Sequence, residues 1–252
     1  MHIIESITDK NNNLPANQSS LQKLCLEKLS VNPLPNKKSE TWRVASKPKL
    51  ESFLNFKLSD DFHYPTIPEG LKTNDILSII IGENKRINIK EETWEIKELQ
   101  EEEIINLIQQ KLIDSDKTEN WSNLLNHSLT SKNNIIGLSI SGKGIPPLEI
   151  ISNSKNNLFN SKTLIIYINK NTTIDISQIN LGDANCSLST SSYLYLGEDS
   201  KVNHGIVSYG TIKSHIINSL NVIQFKNSEY NLGSVQFKFN FARLEINVNQ
   251  IE

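Results

Sequence analysis

The sequence predicts an α+β chain in which a small N-terminal helical domain with a β-hairpin precedes a truncated right-handed β-helix. Segments at 171–174, 199–202 and 227–230 begin 28 residues apart. Each reads small polar residue, hydroxyl residue, any residue, then a strand-favouring side chain. Coils of a β-solenoid must turn at a fixed interval in order to stack, so this recurrence is typical of that fold.

The runs beside these segments have the composition of strands. Residues 164–168, 193–196 and 221–225 are short and apolar or alternating, and each leads into a turn. After the turns, pairs such as Ile174 and Ile176 lie two residues apart, which places both on one face of a strand. A β-sandwich would also show turn residues at intervals of ~10 residues, so it stays open as an alternative.

The N-terminal region predicts a tail followed by a helix. Residues 1–18 are Asn-rich and lack a basic segment followed by an apolar core, so we expect a flexible tail and a cytoplasmic protein. Residues 20–30 predict a short amphipathic helix that ends before Pro33. Its apolar residues at helical spacing are Leu21, Leu24, Cys25 and Leu29.

The middle of the chain changes character twice. Residues 50–70 mix aromatic and polar residues with two prolines, and we expect an irregular connection there. Residues 75–81 and 86–89 flank a polar turn and predict a β-hairpin. From 97 to 126 the apolar period becomes helical behind an acidic first turn, with a second short helix around Trp121.

From about residue 135 the pattern is β to the end. We therefore predict a tail at 1–18, an N-terminal α+β domain at 19–130 and a partial β-helix core at 131–252.

Composition excludes several classes of protein. The chain has 252 residues, of which 37% are hydrophobic and 21% charged, as is ordinary for a soluble globular protein. The net charge is −2 and the basic residues are scattered, so we expect no nucleic-acid partner. The apolar stretches fall far below the roughly 20 residues that cross a bilayer, so we expect no membrane partner.

The residue types that carry chemistry are isolated in the sequence. Cys25 and Cys186 form no CxxC pair, and we expect two free, reduced thiols. No glycine-rich phosphate loop occurs. The histidines are His2, His63, His127, His204 and His215. They lie singly, without a cysteine or carboxylate at ligand spacing, so we expect structural or exposed roles and no metal site.

Four segments carry a further signal. The first is Leu34-Pro35, a basic spacer, then Glu40, Trp42 and Arg43. The second is a short helix at 121–126 and a strand from 135 that ends in Gly-Ile-Pro-Pro-Leu-Glu-Ile at 144–150. The third, at 196–204, reads glycine, acidic, small, x, hydrophobic, x, His, and the fourth contains Arg243 and Glu245.

In this order the segments resemble SufD, a subunit of the SufBCD complex that assembles iron–sulfur clusters. The resemblance implies a non-catalytic scaffold subunit with SufB and SufC as partners. This chain would bind no cofactor itself, and the cluster and ATP would enter only through the wider complex.

Two features depart from the family. Val44 and Ala45 stand where the signature usually continues Tyr-Thr. Family members also run well beyond residue 252, and we interpret the chain as a truncated product or an N-terminal piece. The family's SufB contact, SufC contact and cluster-building histidine lie beyond Glu252, so the resemblance assigns no catalytic, metal or cofactor residue here.

The signature residues have two interpretations. They are Leu34, Pro35, Glu40, Trp42 and Arg43. They could form a docking surface, or Trp42 could pack on its own domain while Arg43 makes a polar contact, and we favour the structural role.

Two other functions remain as alternatives. The chain could be a stand-alone β-solenoid interaction protein that adds strands from another chain at its coil edge. A carbohydrate-active β-helix enzyme is the third hypothesis. It requires clustered carboxylates, whereas the acidic residues of the β half do not share a coil position.

Overall fold

The computed structural model describes residues 16–31, 34–35, 42, 45–71, 76–84, 86–114, 121–131 and 133–251. The described residues include four α-helices: α1 (Ala16–Val31), α2 (Lys47–Leu54), α3 (Glu101–Asp114) and α4 (Trp121–Ser128). A 3₁₀ helix spans Glu69–Leu71. None of the described helices combines the length and hydrophobicity that a membrane span requires.

Strands make up most of the rest of the described chain. The early ones are β1 (Lys57–Leu58), β2 (Leu77–Ile80), β3 (Asn88–Lys90) and β4 (Trp94–Glu98). The later ones are β5 (Ile135–Gly142), β6 (Leu148–Ser154), β7 (Leu158–Ile168), β8 (Thr173–Gly182), β9 (Ser187–Leu196), β10 (Lys201–Tyr209), β11 (His215–Gln224), β12 (Glu229–Phe237) and β13 (Phe241–Gln250).

These strands form two sheets. Sheet A has the order β13-β11-β9-β7-β5-β4-β3, with β1 beside the start of β7, and sheet B has the order β12-β10-β8-β6-β2. From β5 onward the chain alternates between the sheets, and each strand pairs in parallel with the strand one coil away. The fold is therefore a β-solenoid of about four turns, and the predicted solenoid is confirmed over the sandwich alternative.

Successive coils pair at an offset of 28 residues. Lys201 lies beside Thr173 on one side and Glu229 on the other. The same offset holds in sheet A until the last described coil, where Phe241 lies beside His215 at an offset of 26. The turn between β12 and β13 contains two residues fewer than the turn between β10 and β11, and this accounts for the difference.

The sequence repeat marks residues with left-handed backbone. Asn171, Asp199 and Asn227 have φ angles of 58°, 56° and 55°. Asn and Asp adopt this conformation more readily than other side chains do, because their short polar groups can bond locally. A second set, Asn157 and Asn185, occupies the opposite turn at φ 63° and 57°. The repeat thus marks the turn positions at which one residue adopts a left-handed conformation before the next strand begins.

Inward-facing apolar ladders fill the space between the sheets. Sheet A contributes ladders such as Leu138, Ile166, Leu194 and Val222, and sheet B contributes Ile150, Ile174, Ile176 and Val202. All eight side chains are buried. Each such burial stabilises the fold by about 1.5–3 kcal/mol, which makes this interior the main source of cohesion between the sheets.

Polar side chains occupy the other end of the interior. Asn218 donates to the Ser208 hydroxyl at 3.0 Å and accepts from the Thr190 hydroxyl at 2.7 Å. Asn180 donates to the Asn218 side-chain oxygen at 3.4 Å. These groups are buried and bond to one another across the two sheets, so their desolvation is offset within the cluster.

Helices cover the outer face of sheet A. Apolar residues of α1, α2 and α4 pack against Phe159, Tyr193 and Ile217 of the strands. The Phe53 ring of α2 lies edge-on to Phe159 with centroids 5.1 Å apart. The helical region and the solenoid therefore share a hydrophobic core.

Among the described residues, those that cover the outer face of sheet B lie over its first strands. Ile67 and Leu71 pack against the cluster that Ile151, Ile179 and Leu181 form on that face. The Asn153 amide donates to the His63 carbonyl at 3.0 Å and fixes the covering segment.

Several predicted elements are confirmed. Helix α1 includes the predicted 20–30 segment and ends before Pro33. Helix α3 begins with the acidic turn and buries Ile104, Ile105 and Ile108. The chain is β from residue 135 onward. Residues 1–15 of the predicted tail lie outside the described residues, and residues 16–18 belong to helix α1.

The predicted hairpin at 75–81 and 86–89 is wrong. Strand β2 pairs in parallel with β6 in sheet B, whereas β3 pairs with β4 in sheet A. The hairpin lies at β3 and β4, and β4 then pairs antiparallel with β5. The Gly82 turn redirects the chain from one sheet to the other, because β2 occupies the position of a solenoid rung.

Two boundaries also differ from the prediction. Residues 50–54 belong to α2, which begins at Lys47 with proline in its first turn, where a missing N–H removes no helical bond. Residues 97–98 belong to β4, because pairing with β5 overrides the local helical period.

The turn geometry predicts an asymmetric response at Asp199. Asp199→Val should lower the free energy of unfolding by about 1–2 kcal/mol more than Asp199→Gly, since a β-branched residue is strained at positive φ. Urea unfolding of both variants measures the difference. The same pair of changes at Asp183, an exposed turn residue without positive φ, is the control. Equal costs at Asp199 would contradict the strain argument.

Candidate functional site

Three distant segments meet at one contact on the outer face of sheet A. The Trp42 ring lies edge-on to Trp121 of α4, with centroids 5.4 Å apart. The Arg243 guanidinium of β13 lies 3.9 Å from the centre of the Trp42 ring. A cation over a tryptophan face is attracted by the ring, and by about 2 kcal/mol or more when water is excluded.

An ion pair completes this contact. Arg243 donates to the Glu245 carboxylate at 2.8 Å, and the Ser122 hydroxyl of α4 donates to the other carboxylate oxygen. The two charged side chains are 16% and 11% exposed. We call Trp42, Trp121, Ser122, Arg243 and Glu245 the Trp–Arg contact. It joins α4 and residue 42 to the last described strand.

Three of the five signature residues, Leu34, Pro35 and Trp42, are described. Trp42 is 4% exposed, so its ring is enclosed by the protein's own residues. Pro35 is buried, and Leu34 is half-buried against the same core. Glu40 and Arg43 lie outside the described residues. Sequence reasoning missed the partners of Trp42, since only the fold brings Arg243 beside it.

A polar seam joins α4 to sheet A. The Asn126 amide donates to the Ser191 hydroxyl at 2.7 Å, and Ser191 donates to the Asn123 side-chain oxygen at 2.8 Å. His127 and the Tyr193 hydroxyl share a hydrogen bond of 2.5 Å. Burial lowers the pKa of His127 to about 3, so this imidazole is neutral at physiological pH.

His204 lies inside the solenoid. Its Nδ1 is 2.8 Å from the Tyr230 hydroxyl, and its neighbours on the same ladder are Ile176 and Leu232. Burial lowers the pKa of His204 to about 4. His215 lies on the outer face within 3.3 Å of the Ser52 hydroxyl and 3.1 Å of the Asn240 amide. The structure does not bring these histidines together.

Lys162 is a buried cation at the first coil. Its ammonium donates to the carbonyls of Ile81 at 3.2 Å and Asn133 at 3.5 Å. Burial lowers its pKa to about 8, against the attraction of Asp60. It links β7 to the end of β2 and to the loop before β5. No sequence signal indicates this role, because an isolated lysine in a strand is normally exposed.

The cysteines and carboxylates show no shared site in the described part of the chain. Cys25 and Cys186 are free and buried, and burial raises the pKa of each to about 12, so neither is the thiolate that binds metals. Within the described ranges, no group of three or more His, Cys, Asp or Glu residues could hold a metal ion. Asp175 lies beside Asn203 in the sheet, and Glu229 lies beside Lys201. These two carboxylates therefore occupy different positions of the coil and do not stack on each other.

A cleft of about 890 Å³ opens between the segment after β2 and the start of α3. Its walls mix charges, with Glu83, Glu98 and Arg86 among them, and Gly82 and Asn133 line it near Lys162. The mixed lining favours no single class of ligand.

The last described coil has exposed apolar side chains. Ile246 and Val248 of β13 continue the inward ladders, yet they are 48% and 47% exposed. No further strand pairs with β12 or β13 on their outer side within residues 133–251.

No family model, curated protein or solved structure matches this chain. Its function is therefore inferred from the fold and from the contacts among its own described residues.

The Trp–Arg contact predicts a large effect of removing its cation. Arg243→Ala should lower the free energy of unfolding by about 2–3 kcal/mol, because it removes the guanidinium from Trp42 and leaves Glu245 without its ion pair. Urea unfolding followed by tryptophan fluorescence measures this. Lys201→Ala, which removes an exposed ion pair of 2.6 Å, is the control and should cost under about 1 kcal/mol. Equal losses in the free energy of unfolding for Arg243→Ala and Lys201→Ala would contradict the proposed contribution of the Trp–Arg contact to stability.

Burial of His204 predicts acid sensitivity. Between pH 6.5 and 4 the imidazole of the unfolded chain binds a proton that the folded chain does not. As the pH is lowered through this range, this group therefore reduces the free energy of unfolding by about 3 kcal/mol. His204→Leu should remove that part of the pH dependence, since leucine fits the ladder between Ile176 and Leu232. Urea unfolding across this range is the measurement. Ile176→Leu, on the same ladder, should leave the slope unchanged. An unchanged slope in His204→Leu would contradict the prediction.

Proposed function

We propose that this chain is a SufD-like, non-catalytic scaffold subunit of a SufBCD-type complex in iron–sulfur cluster assembly. The observation that carries the proposal is the Trp–Arg contact. Trp42, Trp121 and Arg243 belong to three separate segments that resemble SufD, and they meet at one place in the fold. Residues that contact one another in the fold are constrained together, which would explain why one chain contains all three segments.

The arrangement of the chain supports a scaffold role. Parallel coils bonded along their whole length and helices packed on one face make a stiff support. Under this proposal the coils form a right-handed β-helix in the cytoplasm, and SufB and SufC are the partners. The cluster and ATP would enter through those partners.

A recovery experiment tests the proposal. An affinity tag at residue 1, introduced into the chromosomal gene, retrieves the whole gene product with its partners. We expect SufB and SufC to co-elute from the tagged strain and not from an untagged strain, and depletion of the protein to lower the activity of iron–sulfur enzymes. Recovery without SufB and SufC, together with unchanged iron–sulfur enzyme activity, would refute the scaffold role.

A stand-alone interaction protein is the second candidate. The exposed Ile246 and Val248 beside unpaired strand edges favour it, because such an edge accepts strands from another chain. Recovery of a homodimer alone would support this function. Cleavage of a polysaccharide by the purified chain would instead support the carbohydrate-active enzyme.

A further inference from the structure

The outer face of sheet B carries an apolar stripe that runs along the solenoid. One ladder consists of Ile80, Ile151, Ile179, Val207 and Val235, and beside it lie Leu181, Tyr209 and Phe237. We call these residues the outer stripe. Each position repeats from coil to coil, so whatever fits one part of the stripe meets a related surface further along.

The chain itself shows what fits the first part of the stripe. Ile67 and Leu71, four residues apart, pack on Ile151, Ile179 and Leu181. The segment that carries them is irregular as far as its 3₁₀ turn, and the Asn153 amide holds it through the His63 carbonyl at 3.0 Å. Aliphatic anchors and a donor to the main chain therefore define the covered site.

The same site recurs two coils further along. The register places Val207 in the position of Ile151, Val235 in that of Ile179 and Phe237 in that of Leu181. In the described chain this copy is uncovered, with Val235 and Phe237 46% and 47% exposed. The adjacent Gly233 leaves the surface open, because a Cβ there would meet no atom within 4 Å.

The uncovered copy also has a donor at the matching position. Tyr209 occupies the position of Asn153, and the Lys238 ammonium lies 3.2 Å from its hydroxyl and 5.3 Å from the ring centre. Both groups can donate to a main-chain carbonyl, as Asn153 does in the covered site. The copy thus retains both kinds of contact.

We propose that this uncovered copy binds an irregular segment of a partner protein that ends in a turn, with two aliphatic side chains four positions apart. The inference rests on the coil repeat and the covered site, not on the scaffold role. It adds a lateral binding surface to the solenoid, separate from the open edge of the last coil.

A peptide of this chain's own residues 61–71 is the probe. Fluorescence anisotropy of the labelled peptide with the full chain should show saturable binding. The double variant Val235→Ser/Phe237→Ser should bind the peptide at least about tenfold more weakly, because apolar anchors supply most of the affinity of such contacts. A peptide with Ile67→Ser and Leu71→Ser should not bind.

Ile212→Ser is the matched control. Ile212 is 79% exposed in the turn after β10 and is not a residue of the stripe, so its replacement should leave peptide binding unchanged. No saturable binding, or equal binding by Val235→Ser/Phe237→Ser, would overturn the proposal. Sedimentation equilibrium gives the third outcome. A dimer that Phe237→Ser converts to a monomer would place a second copy on the stripe and would also overturn it.

Discussion

The strands of each described coil must pair in register with those of the next coil, and the rest of the structure depends on that constraint. Each strand's N–H and C=O groups pair with the strand one coil away, so a rung of different length would leave buried backbone groups without partners. Asn171, Asp199 and Asn227 satisfy the constraint at one turn, and Asn157 and Asn185 at the opposite turn. The apolar ladders result from it, since equal rungs place like side chains above one another.

The helices solve a second problem that the solenoid creates. A stack of parallel strands exposes an outer face on each of its two sheets. The outer face of sheet A is partly apolar and partly lined with serine. Helix α4 meets both, with apolar residues against Tyr193 and amides against Ser191. The contact between Trp42 and Arg243 then connects the helical region to β13, the last described strand. The described residues cover sheet B less completely, with Ile67 and Leu71 packed on its first strands.

The sequence predicted those features that arise from local or periodic constraints. The 28-residue interval and the two-residue alternation both arise from a strand and its turn, so they were readable without coordinates. Strand β2 was misassigned as half of a hairpin, because its parallel partner β6 lies 71 residues later and no local pattern reports it. The candidate site was predicted only in part. Trp42 stood out by type, whereas its contact with Arg243 and the burial of Lys162 depend on how the coils lie against the helices.

The shorter offset of the last described coil shows that turn length can vary between coils. The turn before β13 is two residues shorter, yet Ala242 and Leu244 still lie beside inward positions of β11. A two-residue shift keeps the alternation of faces in phase, whereas a one-residue shift in register would place the inward side chains of that strand on its outer face. The loss of two residues between one described coil and the next is therefore compatible with continued stacking.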